Sequence, residues 1–118
     1  MAKRNQPLTP AVFHILLALF HRDRHGYEIM QQVREDSAGS VKMGPGTLYG
    51  TIKRLLEDDM IEEVDARREL GSDERRRYYR LTRYGRERLG VEIQRLEQVV
   101  ARATSIGANT TRMKTHNG

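Results

Sequence analysis

"MGPGTLYGTIKRLLEDDMI", Met43 to Ile61, decides how the rest of the chain reads. Its glycines at 44, 46 and 50 either cradle a phosphate in a loop or open a helix with another task. A dinucleotide fingerprint needs G-x-G-x-x-G between an apolar strand and a helix. The spacing here is one residue too long, and "DSAGSVK" upstream is no buried strand. The other phosphate loop, G-x-x-x-x-G-K-[ST], fails too, because Thr51-Ile52 follow Gly50. The stretch therefore reads as a helix from Pro45 to about Asp59, with proline in its first turn. Leu48, Ile52, Leu55 and Leu56 form its apolar stripe.

Upstream, Thr9-Pro10 is an N-cap followed by proline at the first helical position. Val12, Phe13, Ile15, Leu16, Leu17, Leu19 and Phe20 then surround nearly the whole helix, so it is buried on most sides. "HRDRHG" breaks the chain. A second helix is expected from Tyr27 to about Asp36, with Tyr27, Ile29, Met30 and Val33 facing inwards, and Ser37-Ala38-Gly39 ends it.

Downstream, the period changes from helical to extended. Two runs, 61–68 and 75–82, flank the turn-forming "LGSDE" and predict a two-stranded hairpin with Tyr79 and Leu81 on its inner side. An isolated hairpin is marginal in water, so it must rest on the helices. From Tyr84 to about Ile106 the helical period returns. Leu89, Ile93, Leu96, Val100 and Ala103 make a heptad seam, which implies packing on a second chain.

The 118 residues make one domain with a modest core. There is no cysteine, and therefore no thiolate chemistry or Cys-type zinc site. No signal-peptide pattern or membrane-length apolar run is evident, so a cytoplasmic protein without a membrane partner is expected. The net charge of +5 is concentrated: between Ala66 and Arg88 nine arginines face four acids. Such a run can be a solvated face, but guanidinium forks match phosphates better than ammonium does, which favours a polyanion.

Helix, helix, helix and basic hairpin is the order of a winged helix-turn-helix. In that layout the glycine-opened third helix enters the major groove and the hairpin follows the flanking backbone. Small residues let the helix N-terminus approach a phosphate, where its free N–H groups favour an anion. Off the apolar stripe lie Thr47, Tyr49, Gly50, Thr51, Lys53 and Arg54, a face suited to base edges and phosphates. Tyr49 reads equally as a phosphate contact or a core residue beside Leu48.

In this order and spacing, "HGYEI", "GTLYGTIKRLLEDDMIEE" and "RRRYYRLTRYGRERL" resemble the PadR family of bacterial transcriptional regulators, over roughly Leu8 to Ile106. The single C-terminal helix resembles the short subgroup. The resemblance implies a mainly α fold with a small β-hairpin, a winged helix-turn-helix with a C-terminal dimerisation helix. The divisions are then an arm over 1–8, a DNA-binding domain over 9–82, a dimerisation helix over 83–106 and a tail over 107–118. It also implies a homodimeric repressor on a pseudo-palindromic operator, with DNA contacts from Lys42, Gly46, Thr47, Tyr49, Thr51, Lys53, Arg54, Arg75, Arg76 and Arg77. Some members release DNA when a small aromatic compound binds near the dimer interface. Phe13, Phe20, Leu89 and Ile93 are the residues here that could line such a pocket or form plain core. Gly50 replaces a proline common in the family, and the absence of Trp excludes indole stacking on an effector.

Other classes fare worse. No nucleophile with an orienting base is recognisable, and the acidic pairs Asp58-Asp59 and Glu62-Glu63 flank an exposed junction, so neither catalysis nor a cofactor is expected. His21 and His25 have i, i+4 spacing, but the helix ends between them and no third metal ligand is evident. A basic RNA-binding module is the alternative, although two strands offer no stacking platform of the RRM kind.

Overall fold

The computed structural model describes residues 6–65 and 77–107. Helix α1 (Pro10–His21) starts where expected. The Thr9 hydroxyl accepts the Val12 N–H at 3.2 Å, and Pro10 occupies the first turn, where it sacrifices no helical hydrogen bond. The "HRDRHG" break is more than a loop. Arg24–His25 form a short strand, β1, which runs directly into helix α2 (Gly26–Asp36).

Both residues of β1 also tie down helix ends. Arg24 is buried, and its Nε donates to the Ala18 carbonyl at 2.8 Å, meeting one of the acceptors that the last turn of α1 leaves free. Burial, and then the nearby Arg22, pull the Arg24 guanidinium below its usual range. His25 closes the first turn of α2 as a capping box: Nδ1 accepts the Glu28 N–H, and the Glu28 carboxylate accepts the His25 N–H at 3.2 Å.

Helix α3 (Pro45–Glu57) packs Leu48, Ile52 and Leu55 inwards. It leads into strands β2 (Ile61–Asp65) and β3 (Arg77–Leu81), and helix α4 (Arg83–Ser105) follows. The sheet has three strands rather than two, in the order β1-β3-β2, all antiparallel. β3 lies in the middle, with Glu62 opposite Arg80 and Val64 opposite Tyr78 on one side, and Arg24 opposite Tyr79 on the other. β1 escapes a reading by periodicity because two residues display no period. The expected hairpin positions 66–68 and 75–76 lie outside the described residues.

The core draws on every long element: Ile15, Leu16 and Leu19 of α1, Ile29 and Val33 of α2, the α3 stripe, Ile61, Tyr79 and Leu81 of the sheet, and Leu89 of α4. Tyr27, expected inside, is 61% exposed. It follows the glycine that opens α2, and a first-turn side chain there points away from the α1 contact that Ile29 and Val33 make.

The wing-to-α4 junction is tight. The Thr82 hydroxyl accepts the Gly85 N–H at 3.0 Å as the N-cap of α4 and donates to the Asp59 carbonyl. A Cβ at Gly85 would collide with the Met60 carbonyl. One turn further, the backbone at Gln6 is tied to α4. Arg88 Nη2 donates to the Gln6 carbonyl at 3.0 Å, and the buried Glu92 carboxylate accepts from Arg95 at 2.6 and 3.1 Å.

Gly85→Ala should lower stability by about 1–3 kcal/mol in urea denaturation, because the obstructing atom is backbone and cannot rotate away. Glu92 is held below the usual carboxylate range, first by the Arg95 hydrogen bonds and also by the Leu8 N–H. Its contribution is therefore full above the unfolded value of about 4.3 and disappears as pH falls through the lower folded value. Glu92→Gln should be less stable than the parent at neutral pH, and thermal melts of the two should converge in acid.

Candidate nucleic-acid interface

The three glycines of the opening stretch have a common property. A Cβ at Gly44, Gly46 or Gly50 would meet nothing within 4 Å, so packing does not require any of them. They instead strip side-chain bulk from the outer face of α3. Gly44 is the N-cap and makes no side-chain cap hydrogen bond, and Pro45 has no N–H to satisfy. First-turn backbone donors of α3 therefore face outwards without a side-chain acceptor, at the positive end of the helix dipole.

Gly46, Thr47, Tyr49, Lys53 and Arg54 are all exposed on this face, and Lys42 is exposed in the segment that leads to it. Thr51 is not. It is 7% exposed, and its hydroxyl donates to the Thr47 carbonyl at 2.8 Å, so it turns to the inner side of α3 rather than to the exposed one. The helical wheel puts position 51 at the border of the stripe, where only packing against the neighbouring elements decides its side. Arg54 and Thr47 lie on a flank of α3 that borders a cavity of about 570 Å³. Leu8, Val12, Tyr84 and Arg88 form its other walls, and the Arg88 Nε and Nη1 are buried without a hydrogen-bond acceptor among the described residues.

The opposite flank of α3 meets the sheet. Tyr49 and Arg77 line one groove of about 710 Å³ together with His25, Tyr27 and Gln31. Arg77 also approaches Glu63 of β2 at 3.5 Å, and Arg80 pairs with Glu62 at 2.8 Å. The described arginines of the wing are thus partly neutralised by their own sheet, a pairing that the cross-strand register dictates. Arg75 and Arg76 lie outside the described residues. Tyr49 settles between its two readings as a half-exposed side chain, 49% accessible.

The seam of α4 divides. Leu89 is 2% exposed and belongs to the chain's own core, because this first part of the helix packs on α1. Ile93, Leu96 and Val100 are exposed, with Val99 and Ile106 also at the surface. Among the residues expected around an effector, Phe13 packs partly against the core and Leu89 lies within it. Phe20 is 55% exposed beneath the Arg86 guanidinium, which stands 5.6 Å from the ring centre. Among the described residues, no three His, Cys, Asp or Glu are grouped to hold a metal, and no helix is long and apolar enough to cross a membrane.

Two features are not anticipated from the sequence: the Arg88 contact with Gln6 and the close approach of Tyr49 to Gly26. The first links positions 82 residues apart and leaves no local pattern. The second has a signal in the glycine of "HGYEI", which stands where a helix begins and no turn requires it.

Comparison with known proteins agrees with this architecture. The profile of the Transcriptional regulator PadR-like family matches residues 15–91, more than half of the chain. The crystal structure of a PadR family transcription regulator from Clostridium difficile is 30% identical, with a TM-score of 0.70 over 83% of this chain and 98% of that one. A transcriptional regulator from Clostridium thermocellum is 25% identical, with a TM-score of 0.66 over 82% and 89% of the two chains. An uncharacterized protein from Lysinibacillus sphaericus is 29% identical over 85 residues, 72% of this chain and 76% of that protein. With its winged helix and basic wing, the chain belongs to the PadR-like family of transcriptional regulators, DNA-binding proteins rather than enzymes.

Proposed function

We propose that the protein is a cytoplasmic homodimeric repressor that binds a pseudo-palindromic operator. The observation that carries this reading is the groove shared by Tyr49 of α3 and Arg77 of β3, since one strip of duplex can then meet both elements. Gly46, Thr47, Tyr49, Lys53 and Arg54 address the major groove, while Lys42, Arg77, Arg75 and Arg76 follow phosphates. The phosphate contacts make affinity fall with salt, and the contacts to base edges make it specific.

Dimerisation uses Ile93, Leu96, Val100 and Ala103, the part of α4 whose apolar side chains the chain's own core leaves uncovered, apart from the half-covered Ala103. Two copies joined along this face present their α3 helices to successive major grooves, about one helical turn or a multiple apart. Release by a small aromatic effector, implied by the family resemblance, completes the reading. The cavity between α3, α4 and the Gln6–Thr9 segment has the volume for it and touches both proposed helices, but none of Phe13, Phe20, Leu89 and Ile93 lines it.

A mobility-shift assay on duplex DNA from upstream of the gene, with an RNA competitor, tests the class. Retention on duplex despite RNA is expected, and preference for RNA would favour a basic RNA-binding module. Arg54→Ala should cost about 1–3 kcal/mol of binding and relax specificity at one base pair, read by titrating single-base operator variants. A loss equal across all sequences would make Arg54 a phosphate contact. Leu96→Glu should sediment as a monomer and bind the operator much more weakly. A dimeric Leu96→Glu would move the interface elsewhere.

A further inference from the structure

Gly26 opens α2 and is buried, yet its backbone does not adopt the left-handed conformation that calls for glycine. What calls for glycine is space. A Cβ there would collide with the hydroxyl and ring of Tyr49, in contrast to the open surroundings of Gly44, Gly46 and Gly50. Tyr49 therefore leans over the bare first turn of α2 while half of its surface stays open to solvent. Its hydroxyl end stands in the groove that Arg77 lines from the sheet. Burial, and then Glu63 nearby, hold the Tyr79 hydroxyl above the usual tyrosine range.

The acids at this groove are engaged. Glu28 takes the His25 N–H and faces Arg22 at 3.4 Å, and Glu63 faces Arg77. The Tyr49 hydroxyl and the Arg77 guanidinium, largely exposed despite its pairing with Glu63, line this groove from two elements, and a backbone phosphate is an anion that both can receive.

We propose that Gly26 is a positioning residue for DNA binding: its missing side chain lets Tyr49 lean over α2, so that the Tyr49 hydroxyl and Arg77 meet the same DNA phosphate. This rests on the reading of α3 and the wing as the DNA face. It adds that α2, which reads no base, sets where one contact of α3 is made. Tyr49 swings out when the gap is filled, because the colliding atoms belong to the far end of a rotatable side chain.

A double-mutant cycle tests it, using the full chain, labelled duplex from upstream of the gene and fixed salt. Tyr49→Ala is expected to weaken binding about tenfold, the loss of one hydrogen bond to a charged group. Gly26→Ala should weaken it by a similar factor with helix content unchanged. Adding Gly26→Ala to Tyr49→Ala should cost nothing more, since the ring that Gly26 positions is already gone. Losses that multiply, or a silent Gly26→Ala beside a weakened Tyr49→Ala, would overturn the inference alone. A Tyr49→Ala variant that binds as tightly as the parent would overturn the reading of α3 as well. Without DNA, nuclear Overhauser contacts between the Tyr49 ring and the Gly26 α-protons are expected, and their absence refutes the positioning while leaving the DNA reading standing. Should Gly26→Ala be unstable, the double variant should recover the parent's melting temperature, and failure to do so also refutes it.

Discussion

Strand β3 is the constraint on which the remaining geometry depends. It is paired along both edges, to β1 and β2, and its alternate side chains Tyr79 and Leu81 enter the core. A one-residue slip would bring Tyr78 and Arg80 inside and place a guanidinium where the core has no acceptor. Register is therefore strongly specified. With it are fixed the positions of Arg77 at the groove, of Glu62 opposite Arg80, of Glu63 opposite Tyr79 and diagonal to Arg77, and of Thr82 as the cap of α4.

From that strand the molecule divides into parts that hold and parts that present. Arg24 and His25 belong to the sheet and also close the ends of α1 and α2, so two residues join three elements. Gly85 admits the Met60 carbonyl against the first turn of α4, which sets where that helix departs from the wing. Charge is treated differently in the two parts. The buried guanidiniums of Arg24 and Arg88 donate to backbone carbonyls, while Lys53 and Arg54 stay on the surface.

Most of the fold was legible in the residues because long amphipathic elements carry period and punctuation. Thr9-Pro10 marks the start of α1, the Leu48-Ile52-Leu55 stripe marks α3, and the alternation of Tyr79 and Leu81 against Tyr78 and Arg80 marks β3. The short β1 strand was not legible, since its identity lies in partners more than fifty residues away. The outward aspect of Tyr27 and the inward one of Thr51 run against expectation for a related reason. Each sits at the edge of an apolar arc, where helical geometry alone leaves the side undecided.

What the residues determined by themselves is the set of elements, the concentration of arginine around the wing, and a third helix bared by glycine on one side. These follow from local sterics, periodicity and charge, which need no neighbour to act. Tertiary structure alone decided that Leu89 closes the core while Ile93 onward stays open, that Arg88 holds Gln6, and that Tyr49 comes to rest over Gly26 in the groove that Arg77 also lines. Each of these depends on the distance and angle between elements remote in the chain. Packing in a close-filled interior sets those quantities, and no window of sequence contains them.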